Sequence, residues 1–181
     1  SQADDLHVKR LELLQQAYPK VRELGVLADL AWARRYGQAL QLASPAFGLQ
    51  VRVIVVEDPQ QIDEAMLKPE LSRLDAWYIP ASFLDIRWGE QIAAHLRRLD
   101  KPAIHGYLRD MEFGAVMGYA HDTGFVMEAL SDLVKRVLDG EDAAQIPVEH
   151  PKQVLLAVRA GQIVNGQSLS AAVLRRADLV Y

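Results

Sequence analysis

Residues 101–122 read KPAIHGYLRDMEFGAVMGYAHD. An apolar triplet, Pro102, Ala103 and Ile104, runs into Gly106 and Tyr107. After a short charged segment a second apolar run, Ala115, Val116 and Met117, leads to Gly118, Tyr119 and Asp122. The pattern predicts two short strands, each delivering a Gly-Tyr pair. In an open α/β sheet, ligands sit beyond the carboxyl ends of the strands. Glycine lets a backbone approach closely, and tyrosine offers a flat face with a polar tip. The stretch therefore points to a small-molecule cleft more than to a catalytic centre.

Working outward, strands and helices alternate. Residues Asp5 to Tyr18 carry Leu6, Leu11, Leu13, Leu14 and Ala17 at mostly helical spacing, with Asp4 or Asp5 placed as a cap and Pro19 just past the end. Leu24 to Ala28 reads as the first strand, and Ala31 to Ala43 as a helix without an internal breaker. Val51 to Val56 is dense in β-branched residues and reads as a strand buried on both faces. Asp58-Pro59 opens a helix that ends before Pro69, and Ala76 to Ile79 is a strand stopped by Pro80. Asp85 to Leu99 is helical, with Ile86, Ile92, Ala93 and Leu96 facing inward. Pro102 to His105 and Ala115 to Tyr119 follow as strands. Thr123 to Leu138 is strongly amphipathic, with Val126, Met127, Leu130, Val134, Val137 and Leu138 inward and Gly140 as its stop. Gln153 to Val158 is a last strand, and Ala160 to Tyr181 mixes helical turns with loops. The expected fold is a single α/β domain over 1–181, a Rossmann-like (flavodoxin-like) three-layer open parallel sheet.

Bulk properties exclude several classes. The chain has 181 residues, enough for one domain, and a formal net charge of −4 that gives no electrostatic reason to expect nucleic acid or an anionic membrane. It has no cysteine, hence no disulfide, thiolate nucleophile or zinc-thiolate site. No apolar run approaches the ~20 residues of a bilayer span, so no membrane insertion is expected. The five histidines show no metal-ligand spacing, and no G-x-S-x-G elbow or glycine-rich phosphate loop occurs. We therefore expect no metal, no cofactor and no catalytic residues. A two-component receiver domain shares the size and alternation, but its acidic pair after the first strand, aspartate after the third and lysine after the fifth are absent.

Several segments together resemble one family: the opening KRLELLQQAYP before a strand, AIHGYLRDMEFGAVMGYAHD, the helix ending VKRVLDGEDAAQIPVEHP, and the closing LRRADLVY. The chain resembles the ABC-transporter substrate-binding proteins of the type I periplasmic-binding-protein fold, the group that includes binders of tryptophan and related amino acids. The resemblance covers nearly the whole chain and is most specific from Pro102 to Pro151. It implies a single lobe, the second of the usual two, with residues 121–181 forming the crossover helix, strand and tail that normally return to the first. It also implies an amino-acid-like ligand, an ABC permease as partner, and a periplasmic or other extracytoplasmic location with a signal peptide already removed. Without its usual lobe, the apolar face of the crossover helix has to fold back or meet another body, such as a second copy of the chain. The alternative function is therefore a binding-protein-like sensor or interaction module.

The candidate ligand-binding residues are Asp29, Trp32, Ser82, Tyr107, Tyr119 and Asp122. Asp29 follows the first strand and either accepts from a ligand ammonium or caps the next helix; Trp32 either stacks on the ligand or fills the core. The sequence ADLAWARR departs here from the Asn-Pro-type loop common in the family. Ser82 follows the third strand and either meets a ligand carboxylate, helped by the amides of the following helix, or caps that helix. Phe83 and Trp88 read as packing residues. Tyr107 and Tyr119 fit a cleft lining, and Asp122 either orients a ligand amine or caps the long helix. Arg109, Asp110 and Glu112 read as a solvated turn.

Overall fold

A computed structural model describes residues 2–143, 146 and 154–181. Its centre is a seven-stranded sheet of order β2-β1-β3-β4-β5-β6-β9. The strands are β1 (Glu23–Ala28), β2 (Gln50–Val55), β3 (Ala76–Ile79), β4 (Ala103–His105), β5 (Met117–His121), β6 (Val154–Val158) and β9 (Leu179–Val180). Strands β1 to β5 run parallel in the order 2-1-3-4-5, so the chain reverses its direction of travel across the sheet between β1 and β3. The all-parallel expectation needs one correction: β6 pairs antiparallel with β5, through the register Gly118 to Ala157. Residues 144–145 and 147–153 lie outside the described set, so the expected strand start at Gln153 does too.

Alternation along each strand fills the two faces. Leu24, Val26, Ala28, Ala76 and Tyr78 face α1 (Gln2–Ala17), whose Leu11, Leu14 and Ala17 close over them. Leu27, Trp77 and Ile79 face α4 (Pro59–Leu67) and α5 (Phe83–Leu99), which contribute Ile62, Met66, Ile92 and Leu96. The second helix is broken up. Leu30–Trp32 (α2) is one α-turn, Ala33–Gly37 widens into a π-turn, and Gln38–Ala43 (α3) resumes. A small hairpin, β7 (Ile163–Val164) with β8 (Gln167–Ser168), and the short α7 (Ala171–Leu174) precede β9.

Three burial expectations fail for physical reasons. Strand β2 is not covered on both sides: it lies at the sheet edge, with Val55 exposed. Its β-branched residues favour an extended chain wherever it sits. Ile86 points away from the α5 core face and is exposed. The largest departure is α6 (Thr123–Leu138), whose expected inner stripe is bare: Met127, Leu130, Val134, Val137 and Leu138 are all exposed. Its period is helical and amphipathic as expected, but the face has nothing to bury against among the described residues.

Candidate functional site

Beyond the carboxyl ends of β1, β3 and β4 lies an open hollow of about 260 Å³, lined by Asp29, Ala31, Trp32, Arg35, Tyr36, Ala81, Ser82, Phe83, Ile86 and Tyr107. It sits where the strand order reverses, between β1 and β3, the place where open α/β sheets accept ligands. Gly106 makes the close fit there. A Cβ on it would come within 2.2 Å of the Ala81 amide nitrogen, so only glycine lets the ends of β3 and β4 approach this closely.

Asp29 holds the floor. Its Oδ1 accepts from the Trp32 amide at 2.7 Å and its Oδ2 from the Leu84 amide at 3.3 Å. One carboxylate thus caps α2 and reaches the first turn of α5, satisfying orphan N–H groups of two helices. A carboxylate has about four lone-pair sites, so this capping leaves capacity for a further donor. Ser82 is the N-cap of α5, its Oγ accepting from the Asp85 amide at 3.4 Å. The helix therefore starts at Phe83 and not at Asp85, and two of its first amides are already used inside the protein.

The aromatic wall comes from Trp32, Tyr36 and Tyr107. Trp32 is buried and packs edge-on against His7, whose ring lies 4.5 Å from that of Tyr36. Behind it a polar network runs inward: the Tyr78 hydroxyl meets His7 Nδ1 and accepts from Arg10 Nη1 at 3.0 Å, while Arg10 Nε donates to the Tyr119 carbonyl at 2.7 Å. Burial pushes the Tyr78 hydroxyl's pKa above its ordinary value. Tyr107 is half-buried, with the Arg109 guanidinium 5.5 Å from its ring centre; burial, reinforced by the charge of Asp85, raises its pKa too.

Four of the six expected residues, Asp29, Trp32, Ser82 and Tyr107, meet around this hollow. Tyr119 and Asp122 do not line it. Tyr119 lies within β5 and not beyond its end, packing against the α1 side of the core. Arg35, Tyr36, Phe83 and Ile86 are lining residues that sequence reasoning missed. Tyr36 had a signal, lying four residues after Trp32 on one helical face. Phe83, assigned to packing, is instead a 71% exposed side chain at the rim. The turn after Tyr107 also needs correcting. Arg109 and Glu112 are exposed as expected, but Asp110 is fully buried, with His105 Nδ1 2.9 Å from its Oδ2.

No family model and no curated protein matches the chain. Solved structures do. A conserved domain protein from Vibrio cholerae superposes with a TM-score of 0.79 at 19% identity, over 97% of this chain and 60% of that one. An ABC domain from Streptococcus pneumonia in complex with L-Trp gives 0.78 at 18% identity, with the same coverage. A ligand-free, open substrate-binding protein with adhesive properties from Clostridium difficile gives 0.60 at 17% identity, over 94% of this chain and 55% of that one. The chain shares the α/β fold of these proteins, one of them a substrate-binding protein. The chain spans 60% of the length of the first two of these proteins. Among the described residues, no helix is long and apolar enough to cross a membrane.

Proposed function

We propose that the hollow captures a small zwitterionic ligand of the amino-acid class, without chemical conversion, in an extracytoplasmic ABC-type transport system. The observation that carries this reading is the grouping of complementary chemistry at one strand-end hollow. Asp29 has acceptor capacity for an ammonium group, Arg35 and the Ser82 hydroxyl can meet a carboxylate, and Trp32, Tyr36, Phe83 and Tyr107 offer apolar and aromatic surface. The L-Trp complex of a protein with this fold supports the ligand class. The hollow is open on one side and forgoes the enclosure that normally makes capture tight, so affinity in the high micromolar to millimolar range (about −4 to −6 kcal/mol) is expected. Calorimetric titration with a panel of amino acids tests it: a saturable heat with at least one member supports capture, and silence across the panel refutes it.

The bare stripe of α6 favours a second reading. In it the lobe is a sensor or interaction module that docks a partner or a second copy through Met127, Leu130, Val134 and Val137. Concentration-dependent association in sedimentation, together with a silent amino-acid panel, would select this reading over ligand capture.

A further inference from the structure

Asp85, His105 and Asp110 lie against the cleft walls without lining the hollow. All three are buried, and one ligand-type atom from each lies within 4.8 Å of the others. Both Asp85 oxygens and Asp110 Oδ1 are buried without a hydrogen-bond donor. Two adjacent buried carboxyl groups cannot both ionise cheaply, and one proton held between them gives one oxygen of each carboxyl a hydrogen-bond partner. Gly89 makes the room: a Cβ there would stand 2.8 Å from Asp85 Oδ1 and 3.2 Å from Asp110 Oδ1. The Arg109 guanidinium donates to the Asp85 carbonyl and lies 3.7 Å from Asp110 Oδ1, which favours a proton over a divalent cation between the carboxyls.

The pair joins the two walls of the cleft. Asp85 is in the first turn of α5, beside the lining residues Ser82, Phe83 and Ile86. Asp110 is in the 3-10 turn Leu108–Met111, directly after the lining residue Tyr107. Between that first turn and the rest of α5 the backbone leaves helical geometry at Trp88 (φ −132°, ψ 20°), a kink that sets the direction of the cleft wall apart from that of the long helix.

We propose that Asp85 and Asp110 are positioning residues of the cleft: one proton shared between them clasps the first turn of α5 to the Tyr107 loop, and its loss weakens ligand capture. The proposal rests on the ligand-capture reading above. The groups facing Asp85 are Asp110 and Arg109 from the 3-10 turn, Tyr107 just before it and Tyr78 from β3; His105 of β4 holds Asp110, and Arg10 of α1 reaches Tyr78. Burial first, then the charge and hydrogen bond of Asp110, push the Asp85 carboxyl up to about 9, with Arg109 opposing. The clasp is thus closed at neutral pH and opens on the alkaline side.

The test uses L-tryptophan as probe and compares the wild-type chain with Asp85→Asn, whose amide can still donate to Asp110 but cannot ionise. If only the clasped form binds, wild-type affinity falls several-fold from its value near pH 7 as the pH rises through the alkaline range. The ligand's own amine titrates alike against both proteins, so the excess loss in wild type over Asp85→Asn isolates the clasp. Equal loss in both overturns the proposal. Carbon-detected NMR of the ligand-free wild type gives an independent answer. A carboxyl carbon of the pair should titrate on the alkaline side, and the backbone carbons of Ser82–Arg87 and Tyr107–Met111 should move with it. Titration of both carboxyls in the ordinary acidic range, or titration without that backbone movement, overturns the proposal. If L-tryptophan gives no heat near pH 7, the ligand-capture reading fails for this probe, and the NMR result still decides the clasp.

Discussion

Replacing Asp85 by asparagine should stabilise the fold at neutral pH, by an amount that grows as pH rises. The Asp85 carboxyl moves from its ordinary 3.8 up to about 9 on folding because it is buried and faces Asp110. A carboxyl that holds its proton more tightly when folded contributes most below its unfolded value. Its contribution then declines as pH climbs toward the folded value and stays flat above it. Each pH unit in that window is worth about 1.4 kcal/mol. At pH 7 the distance from 3.8 is 3.2 units, an upper bound of about 4 kcal/mol relative to strongly acidic conditions. Asparagine is nearly isosteric, carries no ionisation cost and can donate an N–H to Asp110 Oδ1, so about 1–3 kcal/mol of net gain near neutrality is expected after imperfect geometry is allowed for. Urea denaturation of both proteins at several pH values reads this directly. The variant-minus-wild-type difference should widen by up to about 1.4 kcal/mol per unit through the weakly acidic to mildly alkaline range. A difference that does not change with pH, or a variant less stable than wild type throughout, would refute the reasoning.

Other substitutions probe the cleft and the bare helix. Gly106→Ala drives a Cβ into the Ala81 amide and the Pro80 carbonyl carbon, so it should cost about 3 kcal/mol or more in denaturant titrations and shift the Ala81–Phe83 wall. Phe83→Ala removes an exposed rim side chain; stability should stay within about 0.5 kcal/mol while affinity for any amino acid found to bind drops measurably by calorimetry. The double change Leu130→Glu and Val134→Lys should cut binding of a hydrophobic dye and any self-association seen by sedimentation, and leave the denaturation midpoint close to that of wild type.

The sheet was legible because its strands are compact apolar runs closed by proline, glycine or aspartate, as at Ala76 to Ile79 before Pro80 and Leu24 to Ala28 before Asp29. Residues placed directly after such strands, Asp29, Ser82 and Tyr107, could be assigned to the cleft for the same reason. Tyr119 lies off the hollow because its strand runs on through His121, pairing with β6, so the Gly-Tyr pair lies inside the ladder. Depth was less legible than type. The β-branched run at β2 is an edge, and the stripe of α6 is bare, since a periodic pattern marks which side is apolar and not what meets it. The Asp85–Asp110 pair was invisible: the two are 25 positions apart, and a buried acid in a charged turn has the same letters as a solvated one.

Ligand capture at the strand ends is tested most directly by titrating the isotope-labelled chain with L-tryptophan and the other amino acids and following backbone chemical shifts. At least one ligand should saturate shifts at Asp29–Trp32, Ala81–Phe83 and Tyr107 together. Shifts absent at concentrations of about 10 mM, or confined to residues away from these three segments, would contradict it.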